Sequence, residues 1–160
     1  IMHFQYTDWE RMKSKHRWYQ CWERINNPGK SSVSIFRSYN HMYSVKPDKV
    51  KLIPNKWFGY YSKIGIDLKK VTKDNNYYWD RVVLKYLDKY NTSFFRREDI
   101  WDVDWVKIAR NYNYKEPQSF KDPRNLLNKI ILLWLKKTQY NYNNIFIRVI
   151  DKIIINVLRF

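Results

Sequence analysis

The sequence predicts a mainly α fold with one or two short strands. Apolar residues recur at helical spacing along most of the 160 residues. Only three residues are glycine, which argues against a sheet-rich architecture built on tight turns. The composition is 44% hydrophobic and 19% aromatic, and disordered chains are poor in such residues. We therefore expect a chain that folds around a core of its own.

The first segment predicts a short strand followed by a long helix. The strand is expected at residues 1–5. Thr7 and Glu10 have the spacing of a capping box, in which two side chains satisfy the first free amides of a helix. The helix should end near Ile25, before the Asn-Asn-Pro-Gly sequence at 26–29. Its apolar side chains fall into two stripes, so we expect it to pack on two sides: Trp9, Met12, His16 and Tyr19, and Trp18, Trp22 and Ile25.

Two further helices are predicted in the middle of the chain. The first covers Ser32 to Tyr43, and residues 55–67 after it are expected to be irregular. Asn75 or Asn76 can cap the second helix, which has the clearest periodicity in the sequence. Its apolar positions are Trp79, Val82, Val83, Tyr86, Leu87 and Tyr90.

The following segment divides the chain. Residues 93–96 are expected to be extended, and Asp102 or Asp104 should cap a brief helix that ends near Ala109. Residues 111–122 are polar and contain a proline, so they are predicted to be a linker between residues 1–110 and 123–160.

Residues 123–160 predict an amphipathic helical hairpin. Asp122-Pro123 is expected to open its first helix, with proline at the first helical position. Cations are interspersed among the apolar positions: Lys129, Lys136, Lys137, Arg148, Lys152 and Arg159. Such a pair either packs on a core or lies on a membrane surface. We favour core packing and leave peripheral membrane contact through residues 123–160 open.

Charge and cysteine content bear on the binding partners and the cellular location of the protein. The net charge of +16 attracts polyanions, although a low-GC genome, which enriches lysine, explains it equally well. Cys21 is the only cysteine, so a reducing, cytoplasmic location is the default. The longest apolar run, residues 130–135, is too short to span a bilayer. Because the sequence begins with Ile1 in the middle of an element, we expect it to be part of a longer reading frame.

Few residues suggest chemistry by pattern alone. The three histidines lie in no nucleophile motif, and three scattered glycines cannot form a phosphate-binding loop. The Asp102-Val-Asp104 sequence could bind a divalent cation, but helix capping is the favoured interpretation. His3, between two apolar residues, is either a hydrogen-bonded core residue or a metal ligand, and the pattern favours the core.

Basic residues gather on the first helix. Lys13, Arg17 and Arg24 share one face, and Arg11 and Lys15 lie nearby. They could contact phosphate or form a solvated face, and the pattern alone favours the solvated face.

Three stretches resemble the C-terminal region of family 2 glycosyltransferases with the GT-A fold. IMHFQYTDWERMKSKHRWYQCWERI (residues 1–25) is similar to the segment that closes the catalytic domain, where a His-bearing strand precedes a helix. YYWDRVVLKYLDKYNTSFFRREDIWDVDW (residues 77–105) and KDPRNLLNKIILLWLKKTQ (residues 121–139) resemble the distal part of such chains. The resemblance implies the helical C-terminal portion of a GT-A α/β glycosyltransferase.

The resemblance also implies a reaction and its partners. Such enzymes transfer a sugar from a nucleotide-sugar donor to a glycan, lipid or protein acceptor. Mn²⁺ or Mg²⁺, held by an Asp-x-Asp motif, neutralises the leaving diphosphate, and a His near the end of the domain completes the metal shell. Only His3 matches that set, because the catalytic residues would precede Ile1. The fragment alone is therefore expected to be inactive.

The basic residues of the first helix are the other candidate site residues, and their predicted role is less specific. Arg11, Lys13, Lys15 and Arg17 are expected to line the diphosphate or a lipid phosphate. The alternative function is a basic, non-enzymatic nucleic-acid-binding domain. We disfavour it, because most aromatic residues fall on apolar helix faces that suit core packing.

Overall fold

The computed structural model describes residues 8–45, 48, 51, 54–66 and 77–160. It is 70% helical and contains no strand within those residues, which confirms a mainly α fold. The strand predicted at residues 1–5 lies outside the described part.

The described residues form seven α-helices: α1 (Trp9–Asn26), α2 (Ser32–Tyr39), α3 (Gly59–Lys63), α4 (Tyr78–Tyr90), α5 (Trp105–Asn111), α6 (Leu126–Thr138) and α7 (Ile145–Asn156). Short 3-10 helices connect several of them, at His41–Ser44, Asn55–Phe58, Thr92–Phe95, Pro117–Phe120 and Gln139–Asn141. The strongly periodic segments thus form helices as predicted, and the differences concern where helices begin and what lies between them.

Helix starts follow the side chains that accept backbone amides. Asp8, rather than Thr7, caps α1 by accepting a 3.0 Å hydrogen bond from the amide of Arg11. Asp104 caps α5 in the same way, which confirms the capping interpretation for this residue. Helix α6 begins later than expected, because Asn125 is its cap and the Asp122 carboxylate binds Arg124 instead.

Three connecting segments differ from prediction. Residues 93–95 are helical and residue 96 is a turn, so the segment is not extended. Asn91 introduces the 3-10 turn with a φ of 58° and a side chain that accepts a hydrogen bond from the Ser93 amide. Of the segment 55–67, which was expected to be irregular, the described residues 55–66 contain a 3-10 turn and α3. The helix predicted over Ser32–Tyr43 divides at Asn40, whose side chain is buried at the end of α2.

Two hydrophobic clusters form the interior. The first lies between α1, α4 and α5, and stacking of Trp18 on Trp79 with ring centroids 4.4 Å apart joins the first two helices. Its buried members are Cys21, Val83, Leu84, Leu87, Phe95, Ile100, Trp101, Trp105, Ala109 and Phe120. The second lies between α2, α6 and α7 and contains Val33, Phe36, Ile131, Leu132, Leu135, Ile154 and Phe160.

The segment predicted to be a linker packs against the first cluster. Phe120 is 3% exposed and contacts the ring of Tyr114 edge-on, with centroids 5.0 Å apart. Residues 111–122 are therefore anchored at Phe120, a buried member of the cluster that also contains Trp105 and Ala109 of α5. The division into units at 1–110 and 123–160 stays a prediction.

Arg37 holds the second cluster together. Its guanidinium donates two 3.0 Å hydrogen bonds to Asp151 of α7. It also donates to the Leu135 carbonyl at 2.9 Å and the Thr138 hydroxyl at 2.8 Å on α6. Because Arg37 lies on α2, one side chain connects all three helices. Both charged side chains are largely buried, so each depends on the other for solvation.

We expect Arg37→Ala to lower the free energy of unfolding by about 3–5 kcal/mol, because Asp151 would remain buried without its partner. Urea unfolding followed by circular dichroism measures this value. Arg148→Ala is the matched control: Arg148 lies on the exposed side of α7, and its loss should change stability by less than about 0.5 kcal/mol. Equal effects of the two substitutions would contradict the role given to Arg37.

Candidate functional site

The predicted site residues do not form one cluster. His3 lies outside the described residues, so its role as a metal ligand stays a prediction. At about 100° per residue, Arg11 and Lys15 lie on one side of α1, and Lys13 and Arg17 lie on roughly the opposite side. Among the residues that the structure describes, no group of three or more His, Cys, Asp or Glu side chains is placed to hold a metal ion.

Three of the four basic residues lie at the surface of α1. Arg11 is exposed, and Lys13 forms a 2.9 Å ion pair with Glu10. The Lys15 ammonium lies 5.5 Å from the ring centroid of Tyr19. These positions keep the side chains near solvent, and their contact with phosphate stays a prediction.

Arg17 is different, because it is 2% exposed and binds two carboxylates. It donates to Asp80 at 3.1 and 3.2 Å and to Asp102 at 3.0 and 3.2 Å. Burial acts to lower the pKa of Arg17, but Asp102 and Asp80 more than offset it and the pKa is raised. The guanidinium therefore remains charged and joins α1 to α4 and to the turn before α5. Asp102 has this ion pair, and Asp104 caps α5.

His16 is an interior imidazole. It is 3% exposed, and its ring centroid lies 4.9 Å from that of His41. Burial, assisted by the nearby His41 and Lys15, lowers the pKa of His16 to about 4. The side chain is thus neutral at physiological pH, and it belongs to the α1 stripe that the sequence predicted to pack inward.

Two adjacent carboxylates have structural roles that the sequence analysis missed. Glu98 is 1% exposed and accepts a 2.6 Å bond from Arg24 and a 3.0 Å bond from Ser32. Asp99 is 4% exposed and lies 2.7 Å from the Lys136 ammonium of α6. Burial raises the pKa of both groups although their cations oppose it. The position of this acidic pair before the apolar Ile100 and Trp101 is the only signal that the sequence offers.

The C-terminal helices expose apolar side chains on their outer sides. On α7 and at its C-cap residue Val157 they follow helical spacing and form what we call the α7 apolar face: Ile145 (63% exposed), Phe146 (76%), Val149 (49%), Ile150 (38%), Ile153 (52%) and Val157 (71%). Leu126, Ile130 and Leu133 form a similar row on α6, each more than half exposed. The preferred core packing of this hairpin is confirmed for Ile131, Leu132, Leu135 and Ile154. It is wrong for the exposed positions, because each helix is apolar on both its buried and its exposed side.

Two neighbouring cavities lie where α2 and α6 begin. The first, of about 240 Å³, is lined by Arg24, Lys30, Arg97 and Arg159, among others. The second, of about 410 Å³, is lined by Arg96 and Arg97 together with Asn125, Asn128, Leu127 and Leu158. Arg97 and Phe160 belong to both, so the two cavities adjoin.

These cavities carry excess positive charge. Arg24 is neutralised by Glu98, and Lys30 lies 2.6 Å from Glu23. For Arg96, Arg97 and Arg159, the described residues provide no carboxylate within ion-pairing distance. Burial lowers the pKa of Arg97, and the nearby Arg96 and Arg24 act in the same direction. An anion bound there would relieve this repulsion.

Comparison with family models, with curated proteins and with solved structures gave no match for this chain. The resemblance to family 2 glycosyltransferases thus stays a prediction made on the quoted residues. In the described part of the chain, no helix combines the length and the apolar character that crossing a bilayer requires.

We expect acid to destabilise the protein through His16. The unfolded chain takes up a proton near pH 6.5, and folded His16 does so only near pH 4. The unfolded state therefore binds more protons in this window, and up to about 3 kcal/mol of stability is lost as the pH falls from 6.5 to 4. Unfolding free energies measured across this range for wild type and His16→Gln test this. The variant should show a shallower slope, and parallel curves would contradict the assignment.

Proposed function

We propose that this chain is the helical C-terminal portion of a family 2 glycosyltransferase of the GT-A type. The complete enzyme would transfer a sugar from a nucleotide-sugar donor to the hydroxyl of a glycan, lipid or protein acceptor. The observation that carries this proposal is the meeting of two of the resembling stretches at Arg17. Residues 1–25 supply Arg17, and residues 77–105 supply both of its carboxylate partners, Asp80 and Asp102.

The polar residues quoted for the resemblance thus have structural roles, and several of them pair with residues of another stretch. Asp80 lies in the Trp-Asp-Arg sequence of α4, and Asp102 and Asp104 belong to the Ile-Trp-Asp-Val-Asp-Trp sequence before α5. The third stretch, residues 121–139, contributes Lys136, which pairs with Asp99 of the second. This connection supports treating the three stretches as one unit of a longer enzyme.

We also propose a role for this unit in the complete enzyme. Helix α1 follows residues 1–7 directly, and Arg17 fixes that helix against α4 and the turn before α5. A helix fixed in this way can orient the segment that precedes it. We propose that this segment presents the His3 imidazole to the divalent cation of the donor site. Bound Mn²⁺ or Mg²⁺ would supply charge neutralisation of the leaving diphosphate.

The test uses the longer chain encoded with the upstream sequence. We expect it to release nucleotide from at least one nucleotide sugar in the presence of Mn²⁺ or Mg²⁺, and we expect the 160 residues alone to release none. His3→Ala should lower kcat of the longer chain at least about ten-fold with an unchanged Tm. His41→Ala is the matched imidazole control and should retain activity. A longer chain that binds no nucleotide sugar, or activity unaffected by His3→Ala, would refute the proposal.

A further inference from the structure

We propose that the C-terminal helices dock on an anionic lipid bilayer. The α7 apolar face would lie among the acyl chains at the interface, and Arg96, Arg97 and Arg159 would bind lipid phosphates. This inference rests on the exposed surface alone and is independent of the proposed glycosyltransferase activity.

Helix α7 has the form of a helix that lies in a membrane interface. The six residues of the α7 apolar face recur at intervals of three and four, so they lie along one side of the helix. Exposed apolar surfaces of this extent mark interaction sites on soluble proteins. With 12 residues, α7 is about 18 Å long, which is too short to cross a bilayer but suits a helix lying in the interface plane.

The exposed charges beside the α7 apolar face are positive. Arg148 and Lys152 are the exposed charged residues of α7, because Asp151 is buried against Arg37. Residues 123–160 contain a single acidic residue, Asp151, and seven cations: Arg124, Lys129, Lys136, Lys137, Arg148, Lys152 and Arg159. An apolar side flanked by cations is complementary to a bilayer that contains anionic lipids.

The two basic cavities can bind phosphate. Arg96, Arg97 and Arg159 have no carboxylate partner among the described residues, and guanidinium groups bind phosphate oxygens in a bidentate manner. The larger cavity is also lined by Leu127 and Leu158, which are 47% and 39% exposed. Phosphate-binding and apolar groups therefore lie side by side, as the headgroup and acyl chains of a phospholipid do.

Other occupants of this surface fit less well. Nucleic acid would leave the aliphatic side chains Ile145, Val149 and Ile153 without partners, because they can neither pair with phosphate nor stack on bases as aromatic rings do. A second copy of the chain would bring two surfaces rich in cations together, and each chain carries a net charge of +16. An anionic bilayer satisfies both the apolar face and the charge.

Vesicle co-sedimentation tests the whole surface. We expect the 160-residue chain to bind vesicles of phosphatidylcholine and phosphatidylserine at least about ten-fold more tightly than vesicles of phosphatidylcholine alone. Ile145→Ser/Val149→Ser/Ile153→Ser should reduce this binding at least about ten-fold, since these exposed residues contribute little to the fold. Val45→Ser/Ile64→Ser is the matched control at exposed apolar positions elsewhere and should bind like wild type.

A charge variant tests the cavities separately. Arg96→Gln/Arg97→Gln/Arg159→Gln should lose most of the preference for phosphatidylserine. Arg81→Gln/Lys85→Gln/Arg110→Gln removes the same charge from exposed positions on α4 and α5, and it should retain that preference. Equal losses in the two variants would show attraction by net charge alone and would overturn the cavity assignment.

Site-specific labelling keeps the result independent of stability. Cys21 is fully buried, so a cysteine introduced by Phe146→Cys can carry an environment-sensitive dye, and Ile64→Cys serves as the control. Anionic vesicles should shift the emission of the dye at position 146 to the blue and leave that at position 64 unchanged. The proposal is overturned if the dye at neither position responds to vesicles. It is also overturned if oligonucleotides displace the protein from the vesicles and contact position 146 in their place, or if the dye shifts on dimer formation without vesicles.

Discussion

The ion pairs of Arg17 with Asp80 and Asp102 are the contact on which the arrangement of the first hydrophobic cluster depends. A buried guanidinium is tolerated only when carboxylates surround it, so its position fixes α1 relative to α4 and to the turn that precedes α5. Trp18 and Trp79 stack on each other between the same two helices, α1 and α4. Burial alone would allow these amphipathic helices to slide, whereas bidentate hydrogen bonds define one register.

A second guanidinium does the same for the C-terminal helices. Arg37 links α2, α6 and α7 through Asp151 and through groups at the end of α6. Between the two clusters, the adjacent Glu98 and Asp99 reach Arg24 of α1 and Lys136 of α6. Among the described residues, only a few cations are thus buried, and carboxylates pair with them. Most of the other basic residues lie at the surface. Part of the remainder, Arg96, Arg97, Arg148, Lys152 and Arg159, lies at or near the C-terminal helices, where we place the bilayer contact.

The sequence allowed the helices to be predicted but not their partners. Periodicity located α1, α4 and α7, because an amphipathic pattern is a local property. It did not reveal that Arg17 meets Asp80 and Asp102, which are 63 and 85 residues away. Periodicity also did not show which sides of α6 and α7 are buried. A pattern shows that a helix has apolar residues, whereas the neighbouring helices determine which of its sides they cover. The turn at Thr92–Phe95 was missed because it depends on the left-handed backbone of Asn91.

The central claim is that Arg17 joins two distant stretches of sequence into one unit through its carboxylate partners. A double-mutant cycle with Arg17→Met and Asp80→Asn, read as free energies of unfolding, measures this link directly. We expect a coupling free energy of about 1.5–3 kcal/mol between the two side chains, because they are buried and share two hydrogen bonds. Additive effects, with a coupling below about 0.5 kcal/mol, would contradict the account.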